Sequence, residues 1–312
     1  MREKTEWMAR RADEVRQTLM REPRGHRDMI GAMLTEPVGS GSHAGVLFMN
    51  ANGYAPMSGH GVIGVTAIAH ARTLIVTAGA ARPAGVDGSM VFDTVAGAIQ
   101  VQSWPGGAPA SDVEGRTVRF TNVPSFVLRG GLPISVGSRT IRVDVAYGGV
   151  FYAIVDAEAV GLGIDGRHLT SLGRMASDIM ARVEAAMVVA HPLDPAMRGL
   201  GGVLFTGPAT DTRAQLRSVS ILAGGSAGRS ASGTGLSAVM AVLDAMGLLP
   251  EDGEVEQEGV SGARFKGTLA GRAQVGDHPA IVPHVEGSAW ITGEHQFFAD
   301  PTDPFGHGFS LD

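Results

Sequence analysis

The chain has 312 residues, 44% hydrophobic and 18% charged, with a net charge of -6 at neutral pH; this is a globular composition, long enough for two medium domains. The charges are spread without blocks, so no basic stripe offers nucleic acid a phosphate-binding surface, and no apolar run approaches the roughly 20 residues a bilayer needs. Cysteine is absent, which excludes disulfides, cysteine-ligated zinc and thiolate catalysis.

The spacing of Met8, Ala12, Val15 and Leu19 predicts an amphipathic helix over 4–20. This stretch carries too many charges for a signal-peptide core, which points to a soluble cytoplasmic protein. Glu22-Pro23-Arg24-Gly25 ends the helix, with His26 beyond it as a hydrogen-bond donor to the turn. Strands are expected at 28–34 and 45–49. The Asn52-Gly53 turn then leads to Met57-Ser58-Gly59-His60-Gly61 and the apolar helical run VIGVTAIAHA. Short strands follow at 89–94, 98–104, 117–121, 141–145 and 151–155, separated by Gly, Pro and Asp as in an antiparallel sheet. A second amphipathic helix covers 172–189, and strands resume at 202–205 and 217–222. Arg229-Ser230-Ala231-Ser232-Gly233-Thr234-Gly235 precedes another apolar helix, LSAVMAVLDAMG, closed by its Gly. Strands at 263–268, 280–285 and 289–298 complete the chain. The 45 glycines are scattered without a collagen-like period and suit the many turns of a β-rich fold. Trp7, Trp104 and Trp290 are read as core or interface packing, and Asp144 and Asp303 as loop-fixing residues.

A Ser-Gly-x-Gly stretch therefore stands twice in front of a buried helix, a little over half the chain apart, which suggests two equivalent α+β halves. A helix N-terminus leaves backbone N–H groups unpaired and carries partial positive charge, so each turn can bind an anion. Two such ends would hold one small carboxylate, with Ser58 and Ser232 directed at opposite faces of its Cα. That suits proton removal on one face and proton return or leaving-group departure on the other. Serine is also a preferred N-cap that needs no function, so capping alone stays open. Residues 59–64 match the dinucleotide fingerprint G-x-G-x-x-G, but no strand leads directly into them and short strands rather than a βαβ unit are expected after them. The histidines show no paired-ligand spacing, so no metal is expected.

On these stretches, and on Arg21-Glu22-Pro23-Arg24-Gly25-His26, Asp144-Val145-Ala146-Tyr147-Gly148-Gly149-Val150-Phe151-Tyr152-Ala153, Gly287-Ser288-Ala289-Trp290-Ile291-Thr292-Gly293 and Asp303-Pro304, the sequence resembles the proline racemase family over nearly its whole length. The resemblance implies an α+β fold of two pseudo-symmetric diaminopimelate epimerase-like domains. Each would be a β-rich sheet around a central helix, with a cofactor-free site in the cleft. The halves are expected at 1–145, re-entered at the C-terminal end, and at 146–312. The family's opening strand, with its His-Thr-x-Gly-Glu-like stretch, is expected to be missing. The implied partner is a small imino acid, and a homodimer is left open. The family's catalytic positions map to Ser58 and Ser232, with His60 the nearest candidate base. Its carboxylate and substrate contacts map to Gly59, His60, Gly61, Gly233 and Thr234.

Departures from the family pattern shape the expected function. Family racemases carry Cys at both catalytic positions, epimerases often Ser then Cys, and dehydratases Cys then Thr; here both are Ser. A hydroxyl is far less acidic than a thiol near pKa 8.5 and needs a neighbouring base. The family Asp that binds the substrate's ring nitrogen is replaced by Gly228. A hydroxyl at the second position and the Gly-Gly-Val-Phe-Tyr-Ala stretch favour dehydration of trans-3-hydroxy-L-proline, while Ser at the first position matches hydroxyproline 2-epimerases. The remaining alternatives are a proline racemase, and a family member that binds a small carboxylate without the standard catalysis.

Overall fold

The structure, a computed structural model, describes residues 1–75, 89–105 and 115–310, which divide into two compact units. Unit 1 contains residues 1–120 and 288–312, and unit 2 residues 121–287. The division falls at Phe120–Thr121, earlier than the expected 145/146, because the intervening hairpin belongs to the sheet of unit 2.

Unit 1 opens with α1 (Arg2–Arg11) and α2 (Asp13–Met20). The single helix expected over 4–20 is thus broken, at Ala12 (φ -146°). Its apolar stripe is not the buried face: α1 buries nothing, Val15 is exposed, and α2 buries Arg16 and Met20. Arg16 reaches the Asn50 and Ala51 carbonyls through Nη1 (2.9 and 2.6 Å) and pairs with Asp13, so α2 is docked by a charged side chain that hydrophobic periodicity does not register. The strands are β1 (Ile30–Thr35), β2 (Ala44–Asn50), β3 (Gly53–Ala55), β4 (Met90–Asp93), β5 (Ala98–Pro105) and β6 (Gly115–Thr121), with α3 (Gly59–Ala71) between β3 and β4. The sheet order is β1-β2-β4-β5-β6, with β3 on β2. β4 runs parallel to β2, so a crossover does follow the first Ser-Gly-x-Gly turn, contrary to the sequence reading.

Unit 2 holds β7 (Ser125–Val136), β8 (Arg139–Tyr147), β9 (Phe151–Asp156), α4 (Leu169–Ala186), the hairpin β10 (Ala190–His191) and β11 (Asp194–Arg198), β12 (Gly202–Gly207), β13 (Leu216–Leu222), α5 (Gly233–Ala245), β14 (Glu254–Glu258), β15 (Arg264–Val275) and β16 (His278–Trp290). The order β16-β15-β14-β13-β12-β9-β8-β7 closes into a barrel, because β7 pairs back onto β16 through Phe126–Ala280 and Ser125–Ile281. Closure satisfies both edge strands. α5 packs against β7, β8, β9 and β15, and every residue from Gly233 to Val242 is buried. An apolar composition on all sides is what such a helix requires. α4 lies on β7, β9, β12 and β13 through Leu172, Ala176, Ile179 and Val183.

The two halves repeat one order of elements. An antiparallel pair (β1–β2, β12–β13) precedes a Ser-capped helix (α3, α5). A strand then returns parallel to the second member of the pair (β4 on β2, β14 on β13), with an antiparallel partner beside it (β5, β15). The expected strand 289–298 ends at Trp290, and beyond it Phe297 and Phe298 are exposed, so apolar residues there do not face a sheet. Trp7 and Trp290 are each 60% exposed and Trp104 stands under the Arg119 guanidinium at the surface, so none of the three belongs to the core. Asp144 lies in β8 and fixes no loop: it accepts from Gly131 N–H at 2.7 Å where the β7–β8 register shifts, while Asp303 accepts from Phe305 N–H in a turn. In its turn His26 Nδ1 accepts from Asp28 N–H at 3.2 Å.

Candidate active site

The first turn is built by β3 and the Pro56-Met57 step that delivers Ser58 to α3. Ser58 has extended backbone (φ -145°, ψ 111°), is 6% exposed, and its Oγ accepts from Gly61 N–H at 3.3 Å. Val62 N–H takes up Ser58 O at 2.9 Å. The N–H groups of Gly59 and His60 then have no acceptor among the described residues, and they stand at the positive end of α3. Burial pushes the His60 imidazole down to about 4, so the ring is neutral at pH 7 and a weak base. Among the described residues its ring makes no hydrogen bond, and none joins it to Ser58.

The second turn repeats this cap with different company. Ser232 (φ -101°, ψ 119°, 6% exposed) accepts from Gly235 N–H at 3.0 Å, and Leu236 N–H bonds Ser232 O at 2.7 Å. The N–H groups of Gly233 and Thr234 are left without acceptors among the described residues. Thr234 Oγ1 lies 3.4 Å from Ser232 Oγ and 2.9 Å from the Tyr152 hydroxyl, which β9 presents. Burial pushes the Tyr152 phenol up, only partly offset by its hydrogen bonds to Thr234 and Ser232, so it stays protonated across the neutral range. Three hydroxyls in a row thus end at the cap, and none of them is a base at neutral pH.

Each turn therefore offers two backbone donors to a carboxylate oxygen, and a serine hydroxyl beside them. The residues expected at the site fall into these two turns, with two exceptions in detail. Gly61 gives its N–H to the Ser58 cap, and Gly228 gives its own to Ser220 O at 2.8 Å, so neither amide is left for a ligand. A Cβ at position 228 would stand 2.3 Å from Ser220 Oγ, so an aspartate there requires Ser220 to turn away; the two residues are complementary as they stand. Sequence reasoning missed Tyr152, although it lies inside one of the quoted motifs; β9 reads Phe-Tyr-Ala-Ile-Val without alternation and all five are buried, so no pattern singles the tyrosine out. It also missed Asn122 and Ser237, described below, which nothing in the local pattern marks. Among the described residues no three His, Asp or Glu side chains gather as a metal site, and no helix is long and apolar enough to cross a membrane.

With this geometry in view, the chain can be set beside known proteins. The family model described as Proline racemase matches residues 1–310. The chain is 37% identical over 299 residues to the trans-3-hydroxy-L-proline dehydratase of Bacillus cereus, covering 96% of this chain and 86% of that protein. It is 40% identical over 314 residues to the 4-hydroxyproline 2-epimerase of Streptosporangium roseum, covering 100% and 90%. A crystal structure of a hydroxyproline epimerase from Agrobacterium vitis, with bound trans-4-hydroxy-L-proline, superposes with a TM-score of 0.83 at 28% identity, covering 98% of this chain and 86% of that one. The expected α+β architecture holds, and the chain belongs to the proline racemase family.

Proposed function

We propose that this protein acts on a hydroxylated proline, by dehydrating trans-3-hydroxy-L-proline. The observation that carries the reading is the surroundings of Ser232. The Tyr152 hydroxyl lies 2.9 Å from Thr234 Oγ1, which lies 3.4 Å from Ser232 Oγ; in this reading the phenol donates to Thr234 and Thr234 gives its own hydrogen to Ser232 Oγ. With Gly235 N–H already bound there, both acceptor positions of the Ser232 oxygen are occupied. Its remaining capacity is to donate. A donor at this position suits departure of a hydroxyl and is poorly suited to removing a proton from a second face of Cα.

In this reading the unpaired amides of the two turns neutralise the substrate carboxylate and so acidify Cα–H. The Cα–H bond breaks first and reversibly toward Ser58, leaving its electrons on a carboxylate-stabilised carbanion; these then form the Cα=Cβ double bond as the C3–O bond breaks and Ser232 protonates the departing hydroxyl to water. The enamine left behind tautomerises to a cyclic imine carboxylate. Ser58 must first give up its own proton, to solvent hydroxide, which is regenerated when the Ser232 alkoxide takes a proton back from water; the positive end of α3 favours the Ser58 alkoxide, and His60 gives little help with its pKa near 4. Turnover is therefore expected to be slow and to rise with pH above neutrality. The assignment of both turns to one substrate comes from the family. The dehydratase of Bacillus cereus supports the reaction type.

A second reading, 2-epimerisation of a hydroxyproline, is favoured by the 40% identity to the Streptosporangium roseum enzyme. Proton NMR in D₂O with trans-3-hydroxy-L-proline, trans-4-hydroxy-L-proline and L-proline separates the readings. Disappearance of the 3-hydroxy substrate with growth of an imine product supports dehydration. A new epimer, with deuterium at Cα and no loss of water, replaces it with the second reading. Binding without exchange on any of the three would mean that the turns hold a carboxylate and catalyse neither reaction.

A further inference from the structure

One of the two donors of the second turn, the Thr234 amide, is tied to a buried side chain that does not touch the turn's open end. Asn122 is 3% exposed, and its Nδ2 donates to Gly148 O and to Ser237 Oγ, each at 2.8 Å. An amide nitrogen has two hydrogens, so both are spent. The Gly148 carbonyl can only accept, which fixes which end of the amide faces it, even though Asn122 Oδ1 is left buried without a partner. Ser237, fully buried one turn into α5, passes its own hydrogen to Gly233 O at 2.9 Å.

The Gly233 carbonyl and the Thr234 N–H are the two ends of one peptide unit. A hydrogen bond accepted at the carbonyl strengthens the amide as a donor, and successive bonds in a low-dielectric interior polarise one another. The other arm of Asn122 reaches the next peptide. Gly148 leans so closely on Thr234 that a Cβ at Gly148 would stand 2.1 Å from Thr234 O. The two bonds of Asn122 thus converge on the peptide planes on either side of Thr234.

We infer that Asn122, through Ser237 and Gly148, is a positioning residue for the anion-binding amide of Thr234. It holds the direction of that N–H and strengthens it as a donor to a substrate carboxylate. This rests on the proposed role of the second turn as a carboxylate cradle, and is independent of which reaction follows.

The test uses the full chain labelled with ¹⁵N, titrated with L-proline and followed at the Thr234 amide, beside Asn122→Ala and Ser237→Ala. The first variant removes both arms; the second removes the relay alone and keeps Gly148 held, so it serves where the first fails to fold. In the unmodified protein the Thr234 proton resonance is expected to move downfield as proline binds. Each variant is expected to weaken proline binding about tenfold and to reduce that movement. With trans-3-hydroxy-L-proline, kcat/KM should fall by about tenfold or more with kcat sharing in the loss, because the Thr234 amide also meets the charge that grows on the carboxylate as Cα–H breaks. The inference is overturned if Thr234 does not respond to proline in the unmodified protein. It is also overturned if a folded variant keeps both its affinity and its Thr234 resonance. A protein that binds proline through Thr234 yet turns over no hydroxyproline would remove the dehydration proposal and leave the positioning role of Asn122 supported.

Discussion

Ser58 and Ser232 begin their helices alike, each with extended backbone, each accepting the N–H three residues on, and each followed by two amides without an acceptor among the described residues. What surrounds them differs. α5 is buried from Gly233 to Val242 inside a closed barrel, and its cap joins a chain of hydroxyls ending at Tyr152. α3 keeps Ile68 exposed, and its cap has no side-chain hydrogen-bond partner among the described residues; the titratable neighbour is a depressed imidazole. The difference teaches that the same Ser-Gly-x-Gly helix start can be given different hydrogen-bonding company by residues far away in sequence, here Tyr152 at the second turn. In the proposed reading the second hydroxyl gives a proton and the first takes one.

The largest effect should come from exchanging the two serines for alanine in turn. Ser58→Ala is expected to lower turnover about a thousandfold and to abolish deuterium exchange at Cα, as loss of a general base does. Ser232→Ala should slow loss of water while leaving Cα exchange measurable by the same NMR assay. Equal loss of exchange in both variants would end the asymmetry. Ser58→Cys sharpens it: a thiol near pKa 8.5 should raise the rate and bring a plateau above about pH 8.5, where the parent continues to climb.

Two stability measurements probe the turns separately. Gly148→Ala acts on the second turn: the added carbon would meet Thr234 O at 2.1 Å and Ala238 N at 2.9 Å, both backbone atoms of a buried helix that cannot step aside. A loss of about 3 kcal/mol in urea unfolding is expected, and a loss below about 1 kcal/mol would show that the helix does give way. His60 acts on the first. Burial holds it near 4 against an ordinary 6.5, so between those values the folded state binds fewer protons than the unfolded. Its contribution is therefore complete above pH 6.5 and is lost as pH falls toward 4, by at most about 3 kcal/mol. His60→Gln should flatten that part of the stability profile, and an unchanged acid limb in the variant would place the loss in other groups.

Much of this arrangement is legible in the sequence because caps and buried helices are local. The Ser-Gly-x-Gly repeat marks both helix starts, and the unbroken apolar run after Gly235 marks a helix with no solvent face. Strands with Gly, Pro or charge in them were missed for equally local reasons. β7 carries Gly130-Gly131-Leu132-Pro133 across a bulge, and β14 reads Glu-Val-Glu-Gln-Glu, so neither resembles an isolated strand. Partners that meet only through the barrel leave no pattern at all. Asn122 reads as part of a Thr-Asn-Val-Pro turn, and only closure of the sheet brings it to Ser237. Beyond the break at Ala12, α2 docks through Arg16 on the Asn50 and Ala51 carbonyls, a polar contact that no apolar periodicity encodes.

The smallest expected effect bears most directly on why the two hydroxyls differ. Tyr152 sits in the apolar cluster of Ala146, Ile154, Leu204, Ala238, Val239 and Val242, so Tyr152→Phe keeps the ring in place and removes only the hydroxyl. In the proposed direction of this chain Thr234 then loses its donor and can turn its own hydrogen elsewhere, which frees an acceptor position on Ser232 Oγ; the distances are 2.9 and 3.4 Å. Ser232 becomes able to accept as well as donate, and its bias toward the departing hydroxyl weakens. A fall of about tenfold in kcat is expected with KM nearly unchanged, since the carboxylate amides are not disturbed. Wash-in of deuterium at Cα should persist, because proton removal on the Ser58 side does not involve this chain of hydroxyls. An unchanged kcat would mean that the Tyr152–Thr234 bond serves packing alone, and the donor character of Ser232 would then need a source other than its neighbours.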